Sequence, residues 1–153
     1  MTKFLAAMLL AQLALCGNAQ DYIGDKRKKV KASLEEYMRK TNVSAVMQET
    51  DTTLLLPLND PNYKPVDFTF LFDKEGKCTT EIRTGCDTCV AKYLQQALEK
   101  KTYEWKQTGS NRFMSNSRYR LQMELLDSEK GSTLLIRKLF LSRNEYNRLL
   151  RRE

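Results

Sequence analysis

The chain has 153 residues, with 26 basic against 19 acidic side chains, a net charge of +7 and no histidine. That length suits a single domain with its own core. The missing imidazole excludes Ser-His-Asp and Cys-His nucleophiles and histidine-built zinc sites, and the six scattered glycines form neither a Gly-x-Gly-x-x-Gly nor a Walker phosphate loop.

At the N-terminus, Lys3 supplies a positive start and Phe4 to Leu15 form an apolar run broken only by Gln12. Gly17-Asn18-Ala19 then places small residues three and one positions before a cut. This is the layout of a secretory leader, so residues 1–19 read as a cleaved signal peptide and residues 20–153 as one exported domain, periplasmic or extracellular. The apolar run is shorter than the roughly 20 residues that span a bilayer, and no later stretch approaches that length. A soluble mature protein is expected. Lipid attachment at Cys16 would want a small residue before it, and Leu15 stands there.

A first helix is expected from Lys26 to Lys40, where Val30, Leu34, Tyr37 and Met38 share one face. Val43, Ala45 and Met47 alternate as a strand, Thr50-Asp51-Thr52 turns, and Leu54 to Leu58 returns; residues 59–65, with two prolines, form a loop. Val66, Phe68, Phe70 and Phe72 then mark a strand by strict alternation. After the turn Asp73-Lys74-Glu75-Gly76, the partner strand runs from Lys77 to Arg83, with Cys78, Thr80 and Ile82 inward and Thr79, Glu81 and Arg83 outward. Thr84 and Asp87 form a capping pair for a second helix carrying Cys86, Cys89, Val90, Tyr93, Leu94, Ala97 and Leu98 on one stripe. Tyr103 and Trp105 alternate in a strand, and Thr108 to Ser117 reads as a loop or a bulged strand. Tyr119 to Leu125 and Thr133 to Leu141 form a further pair. Ser142 and Glu145 make a capping box that opens a last helix carrying Tyr146, Leu149 and Leu150.

The order is α-β-β-β-β-α-β-(β)-β-β-α. It implies an α+β domain of antiparallel sheet with helices packed on one face, each half being a helix followed by strands, as in a duplicated unit. The segment Phe70-Leu71-Phe72-Asp73-Lys74-Glu75-Gly76-Lys77 resembles the hairpin of PepSY-like periplasmic domains. The element order is similar to that of secretion chaperones and of several periplasmic binding or inhibitor folds. The likeness covers one hairpin and an order of elements, and it assigns no family.

Once the leader is removed, three cysteines remain: Cys78, Cys86 and Cys89. Exported cysteines usually pair, and an odd number leaves one thiol over. The expectation is a bridge from Cys78 to Cys86 or Cys89, tying sheet to helix. Two other readings use the same residues. Cys86-Asp87-Thr88-Cys89 at a helix N-terminus has the placement of a thiol-disulfide pair, although no proline follows Pro65 to play the part of the thioredoxin-like cis-proline. The three thiolates could also hold a soft metal ion. Acids such as Glu35, Glu36, Asp51, Asp67 and Glu81 are not grouped by the sequence.

The densest basic runs are Lys26 to Lys31 and the C-terminal arginines, and Arg118 and Arg120 flank Tyr119. Such charge attracts acidic partners or anionic envelope surfaces, while export places nucleic acid out of reach. No cofactor is implied. The expected function is that of a non-enzymatic binding module for an envelope protein or peptide, with Tyr103, Trp105 and Phe113 as a candidate partner surface; the alternative is a thiol-disulfide or soft-metal protein.

Overall fold

The computed structural model describes residues 22–58, 66–129 and 131–151; the leader and the 59–65 loop lie outside them. The described elements are α1 (Arg27–Thr41), β1 (Gln48–Glu49), β2 (Thr53–Leu58), β3 (Val66–Phe72), β4 (Cys78–Gly85), α2 (Asp87–Glu99), β5 (Lys106–Gly109), β6 (Arg112–Met114), β7 (Leu121–Ser128), β8 (Gly131–Lys138) and α3 (Arg143–Arg151). The strands form one antiparallel open sheet in the order β1-β2-β3-β4-β8-β7-β6-β5. Each half is a helix followed by a four-strand meander, and the halves meet where their last strands, β4 and β8, pair from Thr80↔Arg137 to Gly85↔Ser132. Sheet order therefore reads alike from either edge.

The β3–β4 hairpin follows from its residues. Val66, Phe68, Phe70 and Phe72 are buried in alternation. The Asp73 carboxylate accepts from the backbone N–H groups of Glu75 and Lys77, both at 2.9 Å, and Gly76 takes the left-handed φ of 71° that the turn requires.

The inward face of β4 differs from the expected one. Phe72 pairs with Cys78 but Leu71 pairs with Thr80, so Thr79 is an extra residue and the side-chain alternation changes phase there. Beyond the bulge, Glu81 and Arg83 point to the core side and are 2% and 6% exposed, while Thr80 and Ile82 are half-exposed. A period-two reading has no means of seeing a bulge.

Both α1 and α2 pack on the same face of the sheet. Val30 and Leu34 of α1 meet Leu54, Leu56, Phe68, Phe70 and Phe72; Val90 and Ala97 of α2 meet Met123, Leu134 and Ile136. Full burial of each such side chain contributes about 1.5–3 kcal/mol, and this apolar burial is what fixes both helices to the sheet.

Local corrections follow from tertiary pairing. Residues 43–47 are not strand, and the first ladder holds only Gln48 and Glu49. Thr84 stays in β4, its hydroxyl 3.0 Å from that of Thr133, and Cys86 caps α2 instead. Tyr103 ends a short 3-10 turn, not a strand. The capping box of α3 forms as expected: the Glu145 carboxylate accepts from Ser142 N–H at 2.8 Å, and Ser142 Oγ accepts from Glu145 N–H at 3.3 Å.

Candidate functional site

Where β7 begins and β8 ends, the chain between β6 and β7 folds around Asn116. Its side-chain oxygen accepts from Arg118 N–H at 3.1 Å, and its carbonyl accepts from the N–H groups of Tyr119 and Arg120 at 3.2 and 3.3 Å. This side-chain-mimicked turn packs Arg118, Tyr119 and Arg120 into one corner. Asn116 also binds the Tyr103 carbonyl through its own N–H at 2.8 Å, which brings the 3-10 turn alongside. Tyr103 and Tyr119 meet edge to face with centroids 4.9 Å apart.

Arg120 is held from both sides. Its carbonyl accepts from Leu139 N–H at 2.8 Å and its guanidinium donates to the Leu141 carbonyl at 2.9 Å. Its φ is 55°, a left-handed conformation uncommon for a residue with a Cβ. Such backbone persists only where surrounding contacts over-determine it, and it concentrates at functional sites. Arg120 Nε is buried and meets no acceptor among the described residues.

These residues enclose a cavity of about 310 Å³. Its walls are Arg118, Tyr119, Arg120 and Leu121 from the corner, Tyr103 from the 3-10 turn, Lys138 from the end of β8, and Ile23 from the segment before α1. Ile23 is placed there because the next residue, Gly24, donates to the Cys78 carbonyl at 2.7 Å. Three basic residues and two tyrosines contribute to its walls, and no acid is among the described ones. A cleft lined by one sign of charge with low-dielectric sides concentrates the field that attracts the opposite charge. The arrangement suits an anion with an apolar or aromatic body.

The residues singled out as a partner surface have another role. Tyr103 is 9% exposed, and Trp105 and Phe113 are half-buried, packed against the cluster beneath α2. Tyr103 and Trp105 lie 5.8 Å apart as ring neighbours. Trp105 and Phe113 pack against the cluster that holds Val90 and Ala97 of α2, and none of the three is among the exposed large hydrophobic side chains described. Only Tyr103 reaches the cavity. The neighbouring sheet edge, β5, is short and carries a bulge, which blunts it against strand addition.

The expected bridge from Cys78 is also corrected. Cys86 and Cys89 are joined to each other, and Cys78 is a free thiol, 1% exposed. The reason is length: β4 is extended from Cys78 to Gly85, so Cys78 and Cys86 stand roughly 26 Å apart at about 3.3 Å per residue, far beyond disulfide reach. The three cysteines are thus not assembled as one ligand set. Burial, then the charge of Glu81, pushes the Cys78 thiol up to about 12. Asp87, between the paired cysteines, accepts from Ser132 Oγ at 2.8 Å.

Sequence reasoning missed the buried Arg83. Its guanidinium lies over the rings of both Phe68 and Tyr93, 4.6 and 4.2 Å from their centroids. Burial lowers its pKa, and the nearby Glu81 opposes that shift. No local signal marks it, since the bulge turns it inward.

No family model, curated protein or solved structure matches the chain. None of the described helices is long and apolar enough to cross a membrane.

Proposed function

We propose that this protein is an exported, non-enzymatic binding module that captures an anionic group in the cavity between Tyr103, Tyr119, Arg118, Arg120 and Lys138. The observation that carries the reading is that three basic residues, two from the Asn116 corner and one from the end of β8, line one 310 Å³ space whose described walls hold no acid. Both small anionic ligands and acidic side chains of an envelope protein or peptide satisfy it. Export rests on the leader pattern in residues 1–19, and recovery of native protein beginning at Gln20 from an extracytoplasmic fraction is the expected result. Native protein in the cytosol with its leader intact would overturn export.

Trp105, the only tryptophan, sits beside Tyr103 and serves as a built-in fluorescence reporter. Titration with benzoate, benzenesulfonate and phenyl phosphate should change its emission, and benzamide and benzylamine should not. Added salt should weaken the response, because exposed charges are screened. Equal binding of benzamide, or no binding by any anion, refutes the reading.

A second reading rests on the Cys86–Cys89 disulfide at the start of α2, where the helix dipole would favour a thiolate on reduction. A thiol-disulfide protein should exchange this bond with glutathione near the poise of its compartment. A bond that resists reduction until the protein unfolds is structural.

A further inference from the structure

Resting on the anion-binding reading, the geometry points to a phosphate monoester as the group the cavity takes. Arg118, Arg120 and Lys138 all line one space. A carboxylate or sulfonate carries a single charge and would leave two of the three uncompensated. A phosphate monoester carries about −1.5 to −2 charge near neutral pH and three strong acceptor oxygens, one for each cationic side chain. The Arg120 guanidinium is fixed at the wall by its bond to the Leu141 carbonyl. The Tyr103 and Tyr119 rings and Ile23 supply an apolar wall for the ester's organic body.

The phosphate can be free in solution or displayed as a lipid headgroup. Phe140, 73% exposed, projects beside Lys138, whose ammonium lies 5.9 Å from its ring centroid. An exposed aromatic next to a basic mouth fits either source.

The absence of histidine makes the test clean. The chain has no histidine, the side chain whose ordinary value falls in this range, and the second ionisation of a phosphate monoester falls near 6. Phenyl phosphate should therefore bind about tenfold more tightly at pH 7.5 than at pH 5, following its dianion. Benzenesulfonate should bind more weakly and with no change over that range. Arg118→Gln and Lys138→Gln should each weaken phenyl phosphate by about tenfold while leaving the melting temperature unchanged; Arg120 is left intact because it also anchors Leu141. Should benzenesulfonate match phenyl phosphate at pH 7.5, with neither responding to pH, the phosphate assignment fails and the anion reading stands. Binding that survives the Arg118→Gln/Lys138→Gln double substitution removes the cavity from both.

Vesicles distinguish the source. Retention on phosphatidic acid vesicles that phenyl phosphate displaces, and that Phe140→Ser weakens, assigns a lipid headgroup. Soluble binding without vesicle retention assigns a free ester. Equal retention on phosphatidylglycerol, a diester with one charge, overturns the monoester assignment.

Discussion

The two halves of the sheet share one topology and spend it differently. In the first, α1 covers strands whose inward residues are Leu54, Leu56, Phe68, Phe70 and Phe72, and its N-terminus is fastened by Arg27, which donates to the carbonyls of Thr50, Asp51 and Thr53. In the second, α2 covers Met123, Leu134 and Ile136, while β5 and β6 are short and bulged and the interior admits Thr108, Ser115 and Gln122. The cavity lies where β7 begins and β8 ends, within this second half except for Ile23. The first half also buries Glu81 and Arg83 beside the seam and holds left-handed Asn42 at the end of α1, so what sets the second half apart is the grouping of Arg118, Arg120 and Lys138 at its β7–β8 corner. On the proposed anion-binding reading, recognition falls to the second half, and the β4–β8 seam is where the two roles meet.

That division can be broken most directly in the first half. Phe70→Ala should cost about 4 kcal/mol, and Met123→Ala about 3 kcal/mol, measured by chemical denaturation. If the second-half substitution proves the more damaging, the proposed division of roles is wrong. At the seam itself, Gly131 has φ 112° and an added Cβ would lie 2.3 Å from the Gly85 carbonyl oxygen. Gly131→Ala should destabilise by about 3 kcal/mol and loosen both halves together. Loss confined to one half, seen by hydrogen exchange, would mean that the seam does not couple them.

A pH experiment sharpens the picture of the first core. The folded Cys78 thiol is pushed up to about 12 from an ordinary value of 9.0, so it keeps its proton where the unfolded chain loses it. Its contribution is complete below pH 9 and is lost as pH rises toward 12, at no more than about 1.4 kcal/mol per unit. Stability of Cys78→Ala should fall less steeply than wild type over that window. Parallel pH profiles would show a thiol more accessible than its burial implies.

Smaller effects concern the second half. The Tyr146 hydroxyl lies 2.8 Å from the Leu121 carbonyl and 3.1 Å from that of Ser115. Tyr146→Phe should cost about 1 kcal/mol through loss of the bond its one hydroxyl proton makes, the Leu121 carbonyl keeping that from Ser115 N–H at 3.0 Å, and should shift the cavity corner that Leu121 borders, read as altered Trp105 emission. Ser142→Ala should cost about 1 kcal/mol through loss of the α3 cap, with Trp105 emission unchanged.

Much of the architecture was legible where a local rule acts alone. The β3 alternation, the Asp73–Gly76 turn and the Ser142–Glu145 box each specify their structure within a few residues. The expected Cys78 bridge fails on a rule the sequence already carries, since the rise of an extended strand forbids it. The Thr79 bulge was not legible, because one extra residue in a ladder is fixed by its partner strand, and with it went the inward turn of Glu81 and Arg83. Arg118, Tyr119 and Arg120 stood out as a basic-aromatic cluster, but they occupy a turn and not the face of a strand. Their convergence with Tyr103 and Lys138 depends on Asn116 and on the β7–β8 pairing, which no local pattern announces.

The seam carries a consequence for biogenesis. During synthesis β4 is complete long before β8 exists, so the nascent first half must wait with a bare strand edge. That edge offers the same unpaired amides to any other copy caught at the same stage, and exchange of β8 between two chains would satisfy both. Closing a pairing between distant parts of the chain is slow relative to hairpin formation. The interval before β8 docks is therefore the period in which a nascent chain most needs shielding.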